Sequence, residues 1–511
     1  MRYLVTSAEM KRYDQNCIEK IGIPSMVLME RAALETFHVL EKKGFVKNQG
    51  LAIVLAGHGN NGGDGLALAR MLCEAGMVVE ILLVGNEAKA TKQWQDQKAI
   101  LENYPVRFVK EAGSREYIVV IDALFGVGLT RPLEGENATT VEMVNALKGT
   151  KVALDVPSGV DSNSGKILGV AFQADLTVTY GFEKRGLYLW PGHEMAGEIL
   201  CVDIGISQTA FFGEEPTCFA LDEGLEVLLP ARKKNGNKGT FGKALVIAGS
   251  YNMAGAAILC ARACYKLGAG MVKVLSHGQN RVILQETLPE ALLGDLADQT
   301  ALKESGSWCD VICIGPGLGK GSEAKEAFHE VLLGETFRGK PVVIDADGLN
   351  LLSEDVMLRE VLQEQGRKGR IIVLTPHPGE LKRLSEAIWP GRRETLTDLG
   401  KMPLEQIGME LAKYFSATIV AKDARSFVCH VGRPVCMNLS GNSGMATAGS
   451  GDVLAGIITA FLSQENKKAP AAFDDFMVVC RAVRVHGLLG DAAKKNGLLG
   501  EHGVMAGEIV E

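Results

Sequence analysis

The sequence lacks any run near the roughly 18 to 20 apolar residues that cross a bilayer, and Arg2, Lys11, Arg12 and Asp14 interrupt any secretory leader core at its start. A cytosolic protein with no membrane partner is expected. It also lacks a cationic excess, since 54 Lys and Arg against 61 Asp and Glu leave a net charge of −7. Without a basic field, nucleic acid is not expected as a partner. The 11 cysteines lack metal-site order: neither Cys260/Cys264 nor Cys309/Cys313 has a second ligand pair at zinc spacing. Most sit singly in apolar runs, as small buried hydrophobes do, so reduced thiols are expected. The 60 glycines show no collagen period and no low-complexity block. Their meaning lies where they cluster.

A chain of 511 residues is too long for one core. Short apolar runs recur at 51–55, 80–84, 117–122, 151–155, 176–180 and 199–205, with helix-like stretches between them, and read as buried parallel strands of an α/β sheet. After a turn-rich, basic stretch the pattern restarts at 244–249 and continues through 271–275, 311–315, 341–346, 370–377, 418–422 and 427–431. Two units are therefore expected, residues 1–215 and 225–511, with the boundary near 212–236. Both open on a strand running into a Gly-rich turn, but AGHGNNGGDG and AGSYNMAGAA differ in spacing and content, so they are not an internal repeat.

Ligands of open parallel sheets bind beyond the carboxyl ends of the strands, which directs attention to the residues just after each apolar run. In the first unit, LAIVLAGHGNNGGDGLALARML carries glycines with Asn60, Asn61 and Asp64 between strand and helix, where backbone N–H groups can meet a phosphate. A tight turn needing positive φ is the alternative. Asp122 and Asp155 each end a strand, where either can cap the next helix. Together with Ser158, such oxygens can hold a monovalent cation, and an aspartate beside a substrate carbon can serve acid/base chemistry.

In the second unit, GNSGMATAGSGDVLAGIITAF (441–461) sets small residues before Asp452 and an apolar helix after it. N–H groups of Ala448 to Gly451 would form an anion hole, with Asp452 placed to take a proton from a substrate hydroxyl as a phosphoryl group arrives. The competing reading is a helix N-cap aspartate. His377 stands between two prolines in TPHPGE, either presented rigidly or as an exposed turn residue, and Lys422 opens KDARS as a phosphate partner or part of a β-hairpin. GPGLGKG (315–321) and DADGLNLL (345–352) also fall at strand ends.

The first unit's motifs, GIPSMVLMERAALE (22–35), AGHGNNGGDGLALAR, DALFGVGLTRPL and LDVPSGVD, resemble those of NAD(P)H-hydrate epimerase domains. The resemblance implies a Rossmann-like fold with the hydrated nucleotide around Asn60, Asn61, Gly62, Gly63, Asp64, Gly126, Val127, Gly128, Leu129, Thr130, Arg131, Pro132 and Asp155. It implies a catalytic role for Asp155 and a potassium ion near Asn61, Asp122 and Ser158. AGSYNMAGAA, GPGLG, DADGLN, TPHPGE and NSGMATAGSGDVLAG in turn resemble ADP- or ATP-dependent NAD(P)H-hydrate dehydratases, a larger ribokinase-like α/β domain. That resemblance implies Ala257, Gly317, His377 and Asp452 at the hydrate, with Asp452 catalytic. It places Lys422, Asp423, Ala424, Arg425, Ser426 and Gly451 at the nucleotide. ADP as co-substrate and Mg2+ follow, with NADH-hydrate and NADPH-hydrate as substrates, AMP and phosphate as products, and a homo-oligomeric assembly expected. One departure stands out: the family usually has glycine after the nucleotide-loop lysine, where this chain has Asp423. Two other readings compete, a ribokinase-like small-molecule kinase with a nucleotide-binding regulatory first unit, and a non-catalytic dinucleotide sensor.

Overall fold

The structure, a computed structural model, describes residues 1–113, 115–389, 402–466 and 473–511. The chain divides into one unit of residues 2–219 and a second comprising Met1 and residues 220–511. Among the described residues no helix is long and apolar enough to cross a membrane, and the eleven cysteines are free thiols.

The first unit is built on a seven-stranded sheet in the order Arg107–Val109, Val78–Leu83, Leu51–Ala56, Glu116–Ala123, Lys148–Leu154, Leu176–Tyr180 and Glu198–Val202. Every neighbouring pair is parallel. Such strands are covered on both faces, which is why Ile53, Val54 and Leu55 form an unbroken apolar run at 0% exposure. Each such side chain contributes about 1.5–3 kcal/mol on burial. The strand order reverses between Leu51–Ala56 and Glu116–Ala123, so the segments leaving these two strands diverge and open a crevice. Apart from this sheet, Arg2–Val5 pairs in parallel with Glu183–Lys184.

The Gly-rich segment differs from its reading as a turn. The helix already begins at Asn60 and runs to Glu74, so Gly62 and Gly63 are helical and buried. A Cβ at Gly62 would lie 1.7 Å from the Gly57 carbonyl oxygen, and one at Gly63 would lie 2.6 Å from Met29 Cε. These two glycines let the helix press onto the turn and onto helix Ser25–Lys42, while Asn60, Asn61 and Asp64 face the crevice.

In the second unit the order is Leu292–Asp295, Met271–Ser276, Lys243–Ile247, Val311–Ile314, Val342–Ile344, Ile372–Leu374, Thr418–Ala421, Phe427–Cys429 and Val435–Met437. The pairs are parallel as far as Thr418–Ala421. The last two strands run antiparallel, which makes residues 422–426 a hairpin connection. The order reverses beside Lys243–Ile247, so the turns after it and after Val311–Ile314 border the second crevice. Helix Ser450–Glu465 is apolar nearly all round and correspondingly buried along its length.

Candidate active sites

The first crevice is a cavity of about 540 Å3 lined by Asn60, Asn61, Asp64, Gly126 to Leu129, Asp155 and Lys184, with Asp14 and Tyr180. Asp155 adopts φ +65°, uncommon for a residue with a side chain. Its carboxylate forms a 2.5 Å ion pair with Lys184, whose side chain is 1% exposed. Lys184 also donates to Thr179 Oγ1 at 3.1 Å and to the Tyr180 carbonyl at 2.8 Å. Its backbone is held opposite Val5 in the two-strand pairing. Burying an ammonium is expensive, so a carboxylate and two further acceptors around it are what the site requires. Across the cavity, a Cβ at Gly126 would stand 3.1 Å from Asp155 Oδ2 and 3.5 Å from Asn61 Cγ, so these three residues converge and a side chain at 126 would crowd the Asp155 carboxylate.

Asp122 lies behind that wall. It accepts from Ser158 N–H and Ser158 Oγ, each at 2.7 Å, and from Leu124 N–H at 3.1 Å. Burial pushes its carboxyl up to about 6 in spite of these donors. The Asn61 amide has both polar atoms buried with no hydrogen-bond partner among the described residues. Asp64 is held well above the usual carboxylate range, first by burial and then by Asp155 and Asp14, with Lys184 opposing. Asp14 is raised too, chiefly by burial.

The second crevice is organised by the start of helix Ser450–Glu465. Gly449, at φ +93°, turns the chain into the helix, and Asp452 falls in its first turn, not at the cap. First-turn N–H groups have no intrahelical acceptor and carry the positive end of the helix dipole. A Cβ at Gly451 would lie 3.3 Å from Lys422 Nζ and 3.7 Å from Asp345 Oδ2, so the helix start abuts this pair. Lys422 donates to Asp345 Oδ1 at 2.8 Å, the carboxylate being only 2% exposed. Burial first, then the charge of Asp345, raises Asp452 to about 7, with Lys422 opposing. His377 caps helix Pro378–Ile388: its Nδ1 accepts from Gly379 N–H at 3.1 Å, and its Nε2 stands 3.2 Å from Glu380 Oε1. Burial, then Lys422, lowers His377, while burial lifts Glu380 to about 7.

The matches to known proteins agree with this division. The family model described as NAD(P)H-hydrate dehydratase covers residues 244–510, and that of the YjeF-related protein N-terminus covers 25–186. The bifunctional NAD(P)H-hydrate repair enzyme of Moorella thermoacetica is 32% identical across 100% of this chain and 95% of its own. The chain belongs to the bifunctional NAD(P)H-hydrate repair enzymes. The Coxiella burnetii member is 32% identical over 100% of this chain and 98% of its own length. A solved ADP/ATP-dependent NAD(P)H-hydrate dehydratase from Bacillus subtilis aligns at 26% identity with TM-score 0.44, covering 55% of this chain and 91% of that one.

Within this repair-enzyme framework, Asn60, Asn61, Asp64, Gly126, Val127, Gly128, Leu129 and Asp155 line one cavity. Thr130, Arg131 and Pro132 are exposed beyond its lining, and Gly62 and Gly63 are packing residues behind it. In the second unit Asp452, Gly451 and Lys422 come together. Gly317 sits in the adjoining turn at φ +55°, and Ala257 is fully buried in the helix that follows Gly249. Asp423 and Ala424 are exposed on the hairpin connection, where Asp423 Oδ1 accepts from Ala424 N–H at 2.8 Å; Arg425 and Ser426 are half-buried. Sequence reasoning missed Lys184, Asp14 and Glu380, and assigned no role to Asp345. A lysine next to a glutamate in a turn-rich stretch reads as surface. Only the pairing of Glu183–Lys184 with Arg2–Val5 turns it inward.

Proposed function

We propose that residues 2–219 interconvert the R and S hydrates of NADH and NADPH, and that residues 220–511 dehydrate the S form at the expense of ADP, giving AMP and phosphate. Family membership favours this reading over a small-molecule kinase or a sensor. The observation that carries the chemistry is Asp452, poised near pH 7 at a helix N-terminus beside the Lys422–Asp345 pair. Hydroxide is a poor leaving group, because its conjugate acid, water, has a pKa of about 15.7. Asp452 takes the proton of the ring hydroxyl as that oxygen attacks the terminal phosphate of ADP. Lys422 and the helix-start N–H groups balance the phosphate charge. The ring nitrogen lone pair then expels phosphate, and loss of a proton from the neighbouring carbon restores the dihydronicotinamide.

The nucleotide phosphates would carry Mg2+, which binds through substrate phosphates, waters and one or two carboxylates and would neutralise charge during phosphoryl transfer. In the first unit, Asn61, Asp122 and Ser158 suit a potassium ion, since the buried Asn61 amide has no other partner among the described residues. When bound, such an ion supplies a fixed positive charge at the cavity wall. Asp155, ion-paired to Lys184, acts on the hydrate directly. Free cysteines throughout fit a cytosolic protein, and a homo-oligomer remains part of the proposal. The test is incubation with NADH-hydrate and ADP or ATP, following the absorbance of restored dihydronicotinamide. Nucleotide-dependent recovery with release of phosphate is expected, and release of a stable phosphorylated alcohol would overturn the reading.

A further inference from the structure

Epimerisation needs a proton acceptor and a proton donor, and the first cavity holds more carboxylates than Asp155 alone. Asp14 and Asp64 line it too, whereas the one buried ammonium, Lys184, is engaged by Asp155 at 2.5 Å, and Lys11, the other lysine of the lining, is exposed. Among the described residues no side chain hydrogen-bonds or ion-pairs with Asp64, which lies one helical turn beyond Asn61 in helix Asn60–Glu74. An uncompensated carboxylate in such a place is stable as the neutral acid.

We propose that Asp64 is the proton donor of the epimerase reaction, working opposite Asp155 in a ring-opening mechanism. Hydration of an enamine puts the hydroxyl on the carbon beside the ring nitrogen, making a carbinolamine. Asp155 takes the hydroxyl proton, the O–H electrons become the second bond of an aldehyde, and the carbon–nitrogen pair passes to nitrogen. Asp64 protonates that nitrogen. Rotation about the adjoining carbon–carbon bond presents the other aldehyde face. Nitrogen then attacks, returning its proton to Asp64, while the new alkoxide recovers the proton from Asp155. Both residues end as they began, with no oxidant, reductant or nucleotide consumed. The other route, loss of hydroxide from carbon, creates an iminium that needs only to shed a neighbouring proton to become the dihydronicotinamide. That route would make the nucleotide of the second unit superfluous.

This inference rests on the epimerase reading above, and the test separates the two. In the full-length protein, Asp64→Asn should lower kcat for epimer exchange by about 10²–10⁴, with KM within about threefold, while S-hydrate dehydration in the same preparation continues. Asp64→Glu should recover part of the loss. Wild-type exchange in oxygen-18 water should proceed without one label entering per event, a readout that does not depend on how any variant folds. Absence of exchange in the wild type would sink the epimerase reading itself. Exchange by Asp64→Asn within threefold of a competent wild type, or one label gained per event, would overturn this inference alone.

Discussion

The two crevices use the same pair of residue types in opposite ways. In the first, Lys184 is buried and grips Asp155, the carboxylate proposed to react. In the second, Lys422 is 18% exposed and is held by Asp345, while Asp452 forms no ion pair among the described residues and stands near pH 7. A lysine on the carboxylate proposed to react fixes that carboxylate in place at the cavity wall. A lysine on a neighbouring carboxylate is instead fixed at the helix start, the place proposed for the nucleotide phosphates, and leaves Asp452 a stronger base. The difference matches a nucleotide-independent exchange on one side and phosphoryl transfer on the other.

Asp452→Asn should break the second half of this comparison most severely. Dehydration is expected to fall by about 10²–10⁴, the usual cost of losing a general base, while ADP binding stays within a few-fold because the loop keeps its shape. Rate and ADP titration on one sample check both. Lys184→Met attacks the first half. Removing one partner of a buried pair leaves an uncompensated charge, so the first unit should lose about 3–5 kcal/mol, read as a lowered unfolding midpoint with S-hydrate dehydration retained below it.

A pH profile sharpens the contrast. As a base, Asp452 works ionised, so dehydration should decline as pH falls through about 7. Asp345 raises that value and Lys422 lowers it, so Asp345→Asn should move the limb to lower pH even as it weakens nucleotide binding. A limb that stays in place would mean that another group sets it. The smallest effect belongs to Asp423→Gly. Its carboxylate is exposed and turned onto Ala424 N–H, and exposed charge interactions amount to about 0–1 kcal/mol. ADP should therefore bind no more than about fivefold tighter at low salt, with the gain fading at high ionic strength. Unchanged affinity at low salt would show that the loop tolerates the aspartate.

Local chemistry was legible where it coincides with a strand end. The run 176–180 is a strand over those same residues, and Asp155, just after Lys148–Leu154, lines the first cavity with Asp122 of Glu116–Ala123 buried behind it. What pattern reading lost were features created by tertiary pairing. Gly62 and Gly63 look like turn glycines but serve helix packing, because the helix starts earlier than the last glycine. FVCHV reads by apolar pattern like the parallel runs before it, yet Phe427–Cys429 is antiparallel to Thr418–Ala421, as the β-hairpin alternative at KDARS anticipates and the apolar pattern does not. Lys184 and Asp345 form pairs with residues 29 and 77 positions away, the separations of Asp155 from Lys184 and of Asp345 from Lys422. No local spacing encodes such partners.

The claim that two independent chemistries share one chain is tested most directly by giving an equilibrated mixture of R and S NADH-hydrate to the full-length wild type and to Asp155→Ala, with and without ADP. The wild type with ADP should restore dihydronicotinamide from the whole mixture, and Asp155→Ala should stop its fast phase at the S fraction. Neither should restore any without nucleotide. Full consumption by Asp155→Ala at the wild-type rate, or recovery in the absence of nucleotide, would contradict the account.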